Sequence, residues 1–111
     1  MDTPVPQDSA FEKRVRKSFL RQKVMNTIGA HMLTVAPGVV EIELPYHLGL
    51  TQQDGYLHAG VVTTIADSAC GYAAYSLLAA DTAVLTVEFK VNLLAPAKGD
   101  QIGRASCRER V

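Results

Sequence analysis

Apolar residues recur along this chain at two spacings and in one unbroken run, and each pattern predicts a different element. Phe11, Val15 and Phe19, then Leu20, Val24, Ile28 and Met32, follow the four-residue steps of an apolar helical stripe. Asp8 or Ser9 can cap that helix, with Glu12 three residues beyond Ser9 in capping-box spacing, and Gly29 ends or weakens it. Pro37-Gly38 then makes a turn. Val40, Ile42 and Leu44 alternate with Glu41 and Glu43, which predicts a half-buried strand over 39–44 closed by Pro45. A polar loop follows from Tyr46 to Leu57. From Gly55 to Ala80 the chain is almost wholly apolar or small, and its only carboxylate is Asp67. Thr63, Thr64, Asp67 and Ser68 in mid-span, without a basic flank, argue against a membrane helix. The run therefore predicts a central helix that a sheet must wrap. Leu85, Val87, Phe89, Val91 and Leu93 alternate with Thr86, Glu88, Lys90 and Asn92, a clear strand pattern. Pro96 and Gly99-Asp100 signal a turn toward a further strand. The layout is α+β.

Composition narrows the class. The 111 residues make one small domain, and 48% hydrophobic with 20% charged is ordinary globular composition. Eleven basic and eleven acidic residues balance to zero, so no nucleic-acid partner is implied. The first eight residues lack the basic and apolar regions of a signal peptide, and two distant cysteines fit a reducing compartment. The expectation is a soluble, cytoplasmic protein without membrane contact. Lys13, Arg14, Arg16, Lys17, Arg21 and Lys23 cover the polar side of the first helix. A solvated face is the simpler reading of these charges, and contact with a phosphorylated ligand such as coenzyme A is the functional one.

Asp67 carries the strongest chemical signal. Even a neutral polar group buried without a bond costs about 2–7 kcal/mol, so a carboxylate in an apolar helix needs a use or a partner. A desolvated carboxylate acquires the raised pKa that suits a general base. The structural alternative is an Asp bonded to nearby backbone, Thr63 or Thr64. His58-Ala59-Gly60 precedes the helix, and the backbone N–H groups of Ala59 and Gly60 at its start favour an anion, as an oxyanion hole requires. Asp67 stands two and a half turns past His58 and cannot reach a carbonyl held at Ala59 in its own chain. A homodimer that shares sites solves the distance. Cys70 reads as core, and His31, His47 and His58 do not form a metal set, so no metal or cofactor is expected.

Gln52-Gln53-Asp54-Gly55-Tyr56-Leu57-His58-Ala59-Gly60 followed by Asp67 resembles the hotdog-fold acyl-CoA thioesterases, in particular the phenylacetate-degradation (PaaI-like) branch. The resemblance runs from about Gly29 to Asp100 and includes Leu93-Leu94-Ala95-Pro96-Ala97. It implies an antiparallel sheet wrapped around a long helix, an acyl-CoA substrate, and a homodimer or homotetramer. By the same resemblance, Asp67 activates water or, as the less favoured alternative, acts as a nucleophile. The N–H of Ala59 polarises the thioester carbonyl, and His58 orients it. Gln52 stands at a position the family often fills with Asn and places water or the thioester. Thr86 matches a Ser or Thr that holds the water from the partner chain. Gly60 and Asn92 are further candidates for substrate contact. Ala59 itself departs from the family's usual Gly, which leaves the N–H but adds a methyl at the acyl entry.

Two other functions compete. A hotdog-fold enoyl-CoA hydratase would place a His five residues after its Asp. Here Asp54 to His58 is four, and Asp67 is left without a role. A non-catalytic acyl-CoA-binding regulator would need a DNA-binding segment, for which the first helix lacks a helix-turn-helix partner. The expected organisation is an N-terminal helical segment over 1–35, a hotdog domain over 36–100 lacking its last strands, and a non-native tail over 101–111. Ile102–Val111 shows neither apolar period and resembles one reading frame of a sequencing adapter, the alternative being a basic, frayed terminus. Without Arg104, Arg108, Arg110 and Glu109, the basic and acidic counts fall by three and one, to a net charge of −2.

Overall fold

A computed structural model of the chain describes residues 4–88, 90–95, 97 and 101–108, the last stretch by its backbone. Helix α1 (Phe11–Arg21) buries Val15 and Phe19, and α2 (Lys23–Ile28) buries Met25, which accounts for much of the four-residue stripe. The stripe does not form one helix. Gln22 adopts an extended ψ of 101° between the two, and its side chain leaves the helix surface to bond the central helix. Leu20 and Val24 lie on the exposed side. The expected capping box is absent. Asp8 accepts from the Ala10 N–H and pairs with Arg14, while Glu12 pairs with Arg16 one turn on. Gly29 ends α2 at φ 77°, a left-handed position that glycine occupies without strain.

Met32, counted with the helical stripe, lies instead on β1 (His31–Ala36). β1 pairs antiparallel with β2 (Val39–Pro45) across the Pro37-Gly38 turn, with an irregularity at Leu33. Val40, Ile42 and Leu44 are fully buried, as their alternation predicts. They pack against Ile65, Ala69 and Ala73 of α3 (Ala59–Tyr75), the central helix. Ser76, just past α3, donates to the Ala73 carbonyl at 2.7 Å and accepts from the Gly38 N–H at 2.8 Å, tying the helix end to the hairpin turn. Arg14 adds a second tie, donating to the carbonyls of Tyr75 and Leu78 and lying 4.2 Å over the Tyr75 ring.

Two sequence expectations about strands are corrected. Gln101–Arg108 forms β3, antiparallel to β2, so the sheet order is β1-β2-β3. Ladder bonds come from backbone groups, so an open edge pairs a segment whose side chains lack strand periodicity. Conversely, 82–88 and 90–95 belong to no strand, with Leu85 and Val87 88% and 95% exposed. Alternation specifies a face to bury but supplies no neighbour, and the described strands β1, β2 and β3 pair only with one another. Phe89, Pro96, Gly99, Asp100 and residues 109–111 lie outside the described residues.

Candidate active site

The start of α3 is built by the loop before it. His58 takes an extended conformation, and its Nδ1 accepts from the Gly60 N–H at 2.9 Å, so the imidazole caps the helix. This corrects the expectation of two free donors, because Gly60 is committed to His58. As the first helical residue, Ala59 has no intrahelical acceptor for its N–H, and none of the described residues supplies one. The cap holds the His58 ring with Nδ1 unprotonated, leaving the proton of the neutral ring on exposed Nε2.

Gln52 sits at the base of the same loop. Its Oε1 accepts from the Asp54 N–H at 2.6 Å and the Tyr56 N–H at 3.2 Å, so its amide NH2 is the end left for a ligand. The Leu57 N–H donates to the Ala97 carbonyl and the His58 N–H to that of Leu50, both short, pinning the loop from two sides. Gln52 and Ala59 face one open cavity of about 380 Å³, lined also by Tyr56, Val62, Leu93 and Leu94.

Asp67 occupies a different place. It is half-buried rather than sunk in the core, because the helix face that carries it opens on a cavity of about 230 Å³. Its Oδ1 accepts from the Thr86 hydroxyl at 2.7 Å. Among the described residues its other oxygen has no protein partner. Thr63 and Thr64 do not bond it. They donate to the carbonyls of Ala59 and Gly60 on the preceding turn. Thr86 thus reaches the carboxylate of its own chain, where the resemblance implied a role across to a partner. Asn92 is exposed and lines neither cavity.

A polar wall that the sequence reading missed completes the Asp67 cavity. Tyr72 is buried, and its hydroxyl receives Gln22 Nε2 at 2.8 Å and meets Ser18 Oγ at 3.1 Å. Ser68 Oγ donates to Gln22 Oε1 at 3.2 Å. The only sequence signal was the pair Asp67-Ser68 beside a Tyr one turn on. Nothing in the sequence links Gln22 to them.

The two halves of the expected site are separate within one chain. Ala59 and Asp67 stand eight residues apart on a straight helix, about 12 Å along its axis. Among the described residues, no cluster of His, Cys, Asp and Glu could hold a metal ion, and no helix is long and apolar enough to cross a membrane.

A long helix against an antiparallel sheet, with a carboxylate and an open helix start on it, defines the class. Residues 54–109 match the thioesterase superfamily, and the chain belongs to that family. A thioesterase family protein from Silicibacter pomeroyi is 58% identical, with a TM-score of 0.80 over 82% of this chain and 67% of that one. A protein of Halobacterium salinarum named as an esterase is 33% identical over 75% of this chain. The chain spans 58% of that relative's length. The PaaI protein of the E. coli phenylacetic acid degradation operon is 14% identical, with a TM-score of 0.72 over 81% of this chain and 63% of that one. That likeness is one of fold, and the fold is the hotdog fold with its long helix.

Proposed function

We propose that the protein hydrolyses an acyl-CoA thioester in a site shared between two copies of the chain. The observation that carries this is the Asp67 carboxylate, half-buried in a cavity, fixed through one oxygen by Thr86 and open at the other. The open oxygen takes a proton from water as the water oxygen attacks the thioester carbonyl carbon. The carbonyl oxygen, gaining negative charge, accepts from the Ala59 N–H of the second copy at the positive end of its α3. When the C–S bond breaks, the proton held on Asp67 passes to the leaving thiolate, giving a free acid and coenzyme A. Gln52 offers its NH2 to the thioester, and His58 offers its Nε2 proton while its other nitrogen holds the helix start.

Two features support a second copy. The 12 Å between Ala59 and Asp67 is too long for one water and one thioester to bridge. Residues 84–94 expose Leu85, Val87, Leu93 and Leu94, an apolar patch of the kind that marks an interface.

The test combines Asp67→Asn with Ala59→Pro, a change that replaces the N–H by a ring carbon in a backbone already suited to proline. Each variant alone loses about 10²–10³-fold in hydrolysis of an acyl-CoA. An equal mixture allowed to exchange subunits regains about a quarter of wild-type activity, because half its dimers hold one intact site of two. Full activity in Asp67→Asn overturns the mechanism. Two inactive parents whose mixture stays inactive overturn the sharing.

A further inference from the structure

We propose that a groove along α1 carrying Lys13, Lys17 and Arg21 binds the phosphate groups of the coenzyme A carrier and leads its thioester to Asp67. The proposal rests on the thioesterase reading and names where the carrier lies.

The charges are arranged without partners of their own. Lys13, Lys17 and Arg21 follow each other at four-residue steps on one helix face, and all three are exposed. Like charges so placed repel one another and weaken the helix. The ion pairs among the described residues join Asp8 to Arg14 and Glu12 to Arg16, so none of the three is neutralised. Asp8, the one carboxylate in the groove, is occupied by Arg14 and the Ala10 N–H. The groove therefore presents uncompensated positive charge.

Its shape points to a small ligand. The three cations line a concavity of about 370 Å³, and Ser18 and Tyr75 line both this groove and the Asp67 cavity. α1 runs from Lys13 to Arg21, and Gln22 just beyond it lines the Asp67 cavity, so the row of cations leads up to the side of the carboxylate. A phosphorylated nucleotide on a flexible thiol arm fits that row, its negative charges along the cations and its uncharged thioester carried past Ser18 and Tyr75 to the carboxylate. The convex surface of an acidic carrier protein would meet the tips of the cations but not the shared neck at Ser18 and Tyr75.

The experiment compares substrates in the full chain and in a Lys13→Gln, Lys17→Gln, Arg21→Gln variant. One acyl group is presented on coenzyme A, on N-acetylcysteamine, which has no phosphate, and on an acyl carrier protein. The variant is expected to lose at least tenfold more in kcat/KM on the coenzyme A thioester than on the N-acetylcysteamine thioester, chiefly in KM. The wild-type preference for coenzyme A is expected to shrink as salt rises. An unchanged ratio assigns the cations to a solvated face and overturns the proposal, as does a larger loss on the carrier protein. If the wild type hydrolyses none of the three, the thioesterase reading fails. The groove is then judged by calorimetric titration of coenzyme A itself: binding that the variant loses supports it, and no binding overturns it.

Discussion

Ala59→Pro separates what the start of α3 does for the fold from what it does for the chemistry. Proline at the first helical position removes an N–H that has no intrahelical acceptor, and its fixed φ suits a helix start. It also restricts the preceding residue to extended backbone, which His58 already adopts at φ −62° and ψ 131°. The fold should therefore lose nothing. Fewer conformations in the unfolded chain should raise stability by roughly 0.4–1 kcal/mol. In the proposed mechanism the same N–H is the donor to the oxyanion, and loss of one such donor costs about 2.7–4 kcal/mol in the transition state, or 10²–10³ in kcat. Thermal unfolding and release of the coenzyme A thiol, followed with a thiol-reactive chromophore, measure the two quantities on the same preparation. Stability held or raised with activity lost a hundredfold is the expected result. Unchanged activity removes Ala59 from the reaction. A large drop in melting temperature would mean that the N–H has a structural partner, which refutes the argument from helix geometry.

Two further changes probe single contacts. Thr86→Val removes the hydroxyl that fixes Asp67 Oδ1, and a roughly tenfold fall in kcat is expected, in line with a modest hydrogen bond to an ionised group, with Thr86→Ser restoring the rate. Steady-state kinetics of the two variants check this, and equal rates would show that the carboxylate needs no such anchor. Ser76→Ala leaves the Gly38 N–H without its acceptor in a fully buried place and should cost about 1–3 kcal/mol by denaturant unfolding, with kcat per folded molecule unchanged.

What was legible in the sequence is what a residue states about itself or its near neighbours. The apolar run with one carboxylate announced α3, the Val40-Ile42-Leu44 alternation announced the buried face of β2, and Gly29 marked the stop of α2. β1 was hidden because Met32 fits a helical count as well as a strand. Leu85 to Leu93 failed for the opposite reason: alternation describes a face to bury, and none of the described strands pairs with this segment. The Gln22 break was out of reach, since the side chain there bonds Tyr72, 50 residues away.

Asp67 shows where local energetics gives way to assembly. A carboxylate in an apolar helix predicts a buried, costly charge, yet the folded chain leaves it half-buried, beside a cavity that water can enter. The monomer fold therefore avoids most of the desolvation cost that the sequence implied. In the proposed dimer that cost falls at the moment of use, when the acyl group fills the cavity. The same filling lowers the local dielectric and strengthens the pull of the Ala59 N–H on the forming oxyanion. A carboxylate fully buried in one chain would destabilise every folded monomer, whereas one that is covered only with substrate in place acts where the thioester is.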